Sequence, residues 1–280
     1  MKAAGINPVD WKTRRYGGNP KAVGQPPFIV GWDVAGVVEE IADREHRFAV
    51  GDRVFGMPWF PRLARGYAEY VSSPARQLAR IPEGLSDEQA AGLPLAGLTA
   101  WQSLVDLADV EKGDRVLVHA AAGGVGHLAV QIAKARGAHV IGTARSERHE
   151  HLRELGLDEP IDYTTTPFED VVSDVDIVLD GVGGDDYGLR SLGVMREGGL
   201  LIVLPGGVTE KVAAAAEQQS KRAEGIQVEP DYPGLEALAS LADEGELTVT
   251  VDETFPFARA PEAHTRLEDG RARGKLVLIP

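Results

Sequence analysis

The sequence predicts an α/β protein in two parts: a doubly wound parallel sheet and a smaller, mostly β domain. Three observations carry this expectation. Residues 1–95 are rich in glycine and proline, with short strand-like runs. From about Gly97 onward apolar runs alternate with helical patterns, as βαβ units of a parallel sheet require. From residue 246 the β texture returns. The expected boundaries are 1–95 for the N-terminal part of the β domain, 96–245 for the parallel-sheet domain and 246–280 for a tail that folds back onto the first.

In the first part, FIVGWDVAGVVEEI (Phe28–Ile41) mixes β-branched residues with glycines. GDRVFG (Gly51–Gly56) reads as a turn followed by a strand, and GYAEYVSSP (Gly66–Pro74) as a strand closed by a proline. In the second part, strands are expected at RVLVHA (Arg115–Ala120), AHVIGTA (Ala138–Ala144), VDIVLD (Val175–Asp180), GLLIVLP (Gly199–Pro205) and GIQVEP (Gly225–Pro230). They are almost unbroken apolar runs, the pattern of a sheet covered on both faces. Helices are expected over Gly124–Arg136 and Ser146–Leu155, from Asp185, from Thr209, and over Pro233–Glu244. The tail holds LTVTVDETFPF and GKLVLIP, both strand-like.

Composition narrows the function. The chain has 280 residues, 43% of them hydrophobic, enough for a sizeable core. Lys plus Arg number 29 against 43 Asp plus Glu, a net charge of -14 that repels phosphate backbones and argues against nucleic acid as a partner. No apolar run reaches the length of about 18 residues that a membrane span needs. The opening residues lack the apolar stretch of a signal peptide, so a cytoplasmic protein is expected. There is no cysteine, which excludes disulfides, thiolate nucleophiles and cysteine-ligated zinc. His149 and His151 stand two apart, which on a helix turns them away from each other, as on a solvated face rather than at a metal site. His119 and His264 read as structural.

The most informative stretch is HAAAGGVGHLAVQIAKARG (His119–Gly137). Ala121-x-Gly123-x-x-Gly126 follows a strand and opens a helix inside a βαβ unit, the context of a dinucleotide site. The second glycine lets a pyrophosphate approach the backbone, and the third lets helix and strand pack closely. The helix N-terminus adds free N–H groups and partial positive charge around Gly124, Val125 and Gly126. Alanine at the first place changes the turn without removing the anion site. A tight turn with no ligand is the plain alternative.

An NAD site wants a carboxylate at the end of the second strand, where it can bind the ribose 2′-OH. That place holds Ala144, followed by Arg145, Ser146 and Arg148. Guanidinium groups suit phosphate oxygens, so NADP(H) is expected over NAD(H), unless these are ordinary helix-surface charges.

Several motifs, taken in order, give a resemblance. They are NPVDWK (Asn7–Lys12), GWDVAGVV (Gly31–Val38), GDRVFG, RGYAEY (Arg65–Tyr70), PLAGLTAW (Pro94–Trp101), HAAAGGVG, IDYTT (Ile161–Thr165), LDGVGG (Leu179–Gly184) and GKLVL (Gly274–Leu278). The chain resembles the medium-chain dehydrogenase/reductase superfamily and, within it, the zinc-independent quinone oxidoreductases. The resemblance implies a GroES-like β domain joined to a Rossmann domain, an active site in the cleft, NADPH as cofactor and a homodimer. By position it places Thr99 near the nicotinamide ribose and Tyr163 beside the adenine. Val182, Gly183, Leu204 and Pro205 would line the nicotinamide. Asn7 would sit at the nicotinamide and substrate end, with Asp10 and Trp11 nearby. Lys275 belongs to the closing motif without an assigned role.

Two departures stand out. Zinc-dependent members carry cysteine ligands and a Gly-His-Glu motif; here there is no cysteine, and Gly31-Trp32-Asp33 stands at that motif's place. Family members usually have several strands before the NPVDW motif, whereas six residues precede Asn7 here. The expectation is a start that lies further upstream, the alternative being an incomplete barrel with unpaired edges.

Without zinc ligands, no Lewis acid is expected to polarise an alcohol or ketone. The expected reaction is hydride transfer from C4 of NADPH to a quinone or to the β carbon of an α,β-unsaturated carbonyl. The developing oxyanion needs donors. Asn7 is one candidate, though it also fits a turn residue before Pro8. Tyr67 and Trp11 could line the pocket, and Asp10 reads as a hydrogen-bonding brace. The alternatives are an enoyl-thioester or alkenal reductase on the same fold, and a non-catalytic NADPH-binding sensor.

Overall fold

The computed structural model describes residues 1–18, 20–43, 45–204 and 206–280. The chain packs as two units: Met1–Leu98 together with Val228–Pro280, and Thr99–Gln227.

The first unit is built on two three-stranded sheets. Its strands are β1 (Ala4–Ile6), β2 (Val34–Val37), β3 (Arg53–Gly56) and β4 (Leu78–Arg80); the second unit supplies β5 (Arg115–Val118), β6 (His139–Ala144), β7 (Glu159–Asp162), β8 (Val175–Asp180), β9 (Met195–Val203) and β10 (Arg222–Gly225); β11 (Val251–Pro256) and β12 (Lys275–Ile279) return to the first. One small sheet runs β2-β3-β4, all antiparallel, and the other β1-β12-β11. The last strand pairs with the first: Ile6 faces Leu276 and Ala4 faces Leu278. Ile6, Leu276, Leu278 and Phe255 make that sheet's core.

The first helix, Pro8–Tyr16, starts where Pro8 fixes φ at its N-terminus, after Asn7 in an extended conformation. It stops at Gly17, whose φ of 80° only glycine adopts freely and whose N–H donates to Thr13 O at 2.8 Å.

The second unit is a six-stranded parallel sheet in the order β10-β9-β8-β5-β6-β7. The order reverses between β5 and β8, the switch point beside which such sheets bind nucleotides at the carboxyl ends of their strands. Its inner strands β5, β6, β8 and β9 are buried along most of their length because helices cover both faces. Leu117, Ile141, Val178 and Leu201, one from each of four strands, meet Phe168 and Leu192 in the core.

Three differences from the sequence reading have physical reasons. GYAEYVSSP is a loop, not a strand: Gly66 N donates to Gly31 O and Tyr67 N to Val30 O, but no ladder follows. The expected strand at Gly225–Pro230 lies earlier, at Arg222–Gly225, where the backbone pairs with Leu200–Val203. The helix Tyr232–Asp243, carried in the sequence reading with the parallel-sheet domain to residue 245, belongs to the first unit. There its Leu238 packs against Gly97, whose added β carbon would lie 2.8 Å away.

Candidate active site

At the end of β5 the chain turns through Ala120 and Ala121 into the helix Gly126–Ala135. The left-handed residue of this turn is Ala120, at φ 54°, rather than Ala121. Ala121 is buried, and its N–H donates to Thr143 O on β6 at 3.0 Å. Its methyl group faces Gly142, where an added β carbon would lie 2.9 Å from it. The first place of the motif thus anchors the turn to the neighbouring strand.

Gly126 permits the close approach of helix and strand: a β carbon there would lie 2.3 Å from Ala120 O. The amides of Gly124, Val125 and Gly126 have no acceptor among the described residues, and Gly124 and Val125 are half-buried. Three such donors at a helix N-terminus form an anion cradle, and the donor set fits a pyrophosphate. Below the turn, His119 is buried between Thr143 Oγ1 (3.2 Å) and Ser191 Oγ (3.0 Å). Burial pushes its pKa down to about 3, so it is neutral and structural.

At the end of β6, Ala144 is buried and Arg145 and Ser146 are exposed. Arg145 Nε donates to Tyr163 Oη at 3.2 Å, so the guanidinium and the half-exposed Tyr163 ring meet at one corner. Arg148 lies in the following turn, half-buried. A carboxylate missed in the sequence reading stands here: Asp162, paired with Ala144 across β6 and β7. It accepts from Thr164 Oγ1 at 2.6 Å, Thr164 N at 2.9 Å and Ser146 N at 3.2 Å. Those bonds, Thr164's first, pull its pKa down to about 2. It stands one strand beyond β6, where the acid of an NAD site is expected.

Past β8, Asp180 Oδ1 accepts from Val182 N (2.8 Å) and Gly183 N (2.9 Å) and fixes the LDGVGG loop. Val182 is exposed, and Gly183 has φ 78°. Leu204 is half-buried and tied by its N–H to Asp180 O. Thr99 is buried on the helix Pro94–Trp101. Pro205 lies outside the described residues.

Within the first unit a buried polar cluster gathers around Asn7. Lys275 Nζ donates to Asn7 Oδ1 and lies 3.6 Å from Asp33 Oδ2; Asn7 Nδ2 donates to Asp33 Oδ2 at 2.7 Å. A lysine can only donate, so the orientation of the Asn7 carboxamide follows from its partners. Asp33 Oδ1 accepts from Leu95 N at 2.8 Å, and Asp10 Oδ2 from Asn7 N at 2.6 Å. Asp10 Oδ1 is buried with no partner among the described residues. Burial pushes Asp10 up to about 7, raises Asp33 and lowers Lys275. Tyr67 is half-buried; its hydroxyl lies 3.1 Å from His264 Nε2, and its pKa is raised well above 10, first by burial and then by Asp10.

Zinc does not fit this cluster. An ammonium group already bridges Asn7 and Asp33, the Trp32 indole is a donor that cannot ligate a metal and bonds Arg62 O at 2.6 Å, and no group of three or more His, Asp or Glu among the described residues is placed to hold a metal.

The same unit holds a cavity of about 360 Å³. One wall is a single face of the first helix, formed by Val9, Lys12, Thr13 and Tyr16, which are spaced three, four and seven residues on from the first. The other is formed by Trp32, Phe60, Pro61 and Val23. The Trp32 and Phe60 rings meet edge to face at 5.7 Å. Asn7, Asp10, Trp11 and Tyr67 do not line it. The periodicity of Val9, Lys12, Thr13 and Tyr16 was the available signal, hidden in a short helix not expected from the sequence.

Known proteins match both units. Residues 1–83 match the family described as Alcohol dehydrogenase GroES-like domain, and residues 155–278 the family described as Zinc-binding dehydrogenase. The chain is 34% identical over 300 residues to 2-haloacrylate reductase of a Burkholderia species, covering 99% of this chain and 89% of that protein. It is 35% identical over 292 residues to 2-methylene-furan-3-one reductase of Solanum lycopersicum, covering 99% and 70%. The solved quinone oxidoreductase of Coxiella burnetii superposes with a TM-score of 0.92 at 38% identity, over 100% of this chain and 89% of that one. No helix among the described residues is long and apolar enough to cross a membrane. With a GroES-like unit, a Rossmann unit and these relatives, the chain belongs to the medium-chain dehydrogenase/reductase superfamily, in its quinone oxidoreductase-type branch of NAD(P)H-dependent oxidoreductases.

Proposed function

We propose that this chain uses NADPH to reduce a quinone or the double bond of an α,β-unsaturated carbonyl, without a metal, as a cytoplasmic homodimer. The observation that carries the reading is the set of three unbonded amides at Gly124, Val125 and Gly126, with the Arg145 guanidinium at the end of the next strand. The relatives' names support the acceptor class: a quinone oxidoreductase, a 2-methylene-furan-3-one reductase and a 2-haloacrylate reductase.

When bound, the dihydronicotinamide supplies a hydride from C4. The protein's part is to hold and orient. The turn from Ala121 to Gly126 binds the pyrophosphate through backbone amides. Arg145, with Ser146 and Arg148, binds the 2′-phosphate, and Tyr163 takes the adenine side. Thr99, Val182, Gly183, Leu204 and Pro205 serve the nicotinamide end. Asp180 keeps the Val182–Gly183 loop in one shape. The cavity behind the first helix receives the acceptor. Asn7, Asp10 and Tyr67 brace that helix rather than touch the acceptor, because the Asn7 carboxamide is bonded at both ends and buried.

The test is a fluorescence titration with NADPH and NADH, followed by a turnover screen with quinones and enones. Tighter NADPH binding and NADPH consumption with either acceptor class support the reading. Tight binding with no turnover of any acceptor would leave a sensor.

A further inference from the structure

The cavity behind the first helix has a chemical character of its own. Trp32, Phe60 and Tyr16 give it aromatic walls, and its volume of about 360 Å³ suits a molecule of one or two rings. Lys12 is the one charged residue among the described residues that line it. The two arginines next along the helix lie off the cavity and share one carboxylate: Arg14 and Arg15 both reach Glu268, at 2.8 and 3.1 Å. Lys12 has no carboxylate partner among the described residues; its Nζ rests 5.7 Å from the centre of the Trp11 ring. A lysine on the wall of an aromatic cavity, with no carboxylate partner among the described residues and in a chain of net charge -14, is a local preference for anions against the field of the whole molecule.

We infer that the acceptor is a planar, largely aromatic enone or quinone carrying a carboxylate, and that Lys12 selects for that charge. The inference rests on the function proposed above. In an enone the hydride from NADPH adds to the β carbon and a proton from solvent to the α carbon. The products are the saturated ketone and NADP⁺, and the carboxylate is unchanged. Lys12 is exposed, so the preference is modest, because solvent screens such pairs.

The experiment compares 4-carboxybenzylideneacetone with its methyl ester, which keeps the planar skeleton and carries no charge. In the parent protein the KM for the acid is expected to be roughly three- to fivefold below that for the ester, the range of an exposed ion pair. Lys12→Met raises the acid's KM to that of the ester, and Lys12→Glu reverses the order. Arg15→Met, off the cavity face, keeps the ratio. Equal KM values in the parent, or a preference that survives Lys12→Met, would overturn the inference while leaving the reductase reading intact. Quenching of tryptophan fluorescence by the two compounds repeats the comparison without turnover. Selective quenching by the acid with no turnover of either compound upholds the charge selection and contradicts the reductase. Equal quenching contradicts the selection.

Discussion

The Ser146 amide donates to Asp162 Oδ2 at 3.2 Å, joining the end of β6 to the end of β7. This bond bears on the NADPH preference proposed for that corner of an acidic protein. The carboxylate is there, but Thr164 and Ser146 already use its oxygens, while Arg145 turns to Tyr163 on the exposed side. Arg145→Ala is expected to weaken NADPH binding roughly tenfold or more, since a hydrogen bond to a charged group contributes about 1.5–3 kcal/mol. NADH binding should change little. Asp162→Asn removes a nearby negative charge and should tighten NADPH by a few-fold. Fluorescence titration of both cofactors checks this; equal affinities in the parent protein would remove the basis for NADPH.

Gly126→Ala tests the turn. The new β carbon would meet the Ala120 carbonyl at 2.3 Å, so the helix must move away from β5. The expected cost is about 1–3 kcal/mol of stability, with loss of nucleotide binding beyond what the stability change explains. Chemical denaturation paired with titration separates the two. Unchanged cofactor affinity would show that the cradle lies elsewhere.

Lys275→Met tests the buried cluster. It leaves Asp33 charged and buried without its cation, an arrangement that costs about 3–5 kcal/mol. Adding Asp33→Asn should restore much of the loss, because the pair is then neutral at both positions. Urea unfolding of the single and double variants measures it, and strictly additive losses would contradict the coupling.

Asp10 should make stability depend on pH. Its folded pKa is raised to about 7 by burial, against about 3.9 for an unfolded chain. Between those values the folded state keeps a proton that the unfolded state has lost. Its stabilising contribution is therefore complete below about pH 4 and lost as pH rises through about 7. Asp10→Asn keeps an acceptor for the Asn7 amide and cannot ionise. The variant should gain on the parent as pH goes from about 5 to about 8. His119, lowered to about 3, acts in the opposite sense: its contribution is complete above about 6.5 and lost as pH falls toward 3. Parallel stability profiles for parent and Asp10→Asn would refute the assignment.

The parallel sheet was legible because burial on both faces writes itself as apolar runs; VDIVLD at Val175–Asp180 and the helix from Asp185 stand where they were expected. The β unit was harder to read. GYAEYVSSP has strand composition, yet after its bonds to Val30 and Gly31 its backbone joins no ladder, and composition does not report pairing. The helix Pro8–Tyr16 is nine residues long and begins on a proline, so its one-sided face at Val9, Lys12, Thr13 and Tyr16 gives too short a period to read as a helix. The nucleotide turn could be read from local spacing. The Asn7–Asp33–Lys275 cluster could not, because its members come from positions up to 268 residues apart.

The proposed reaction is hydride transfer from NADPH to the β carbon of an electron-poor acceptor. The most direct measurement uses NADPH carrying deuterium at C4, each face labelled in turn, with an enone as acceptor and NMR of the product. One of the two labels is expected to arrive at the β carbon of a saturated ketone, one deuterium for each NADP⁺ formed. Deuterium at the carbonyl carbon of an alcohol, or no oxidation of NADPH with any enone or quinone, would contradict it.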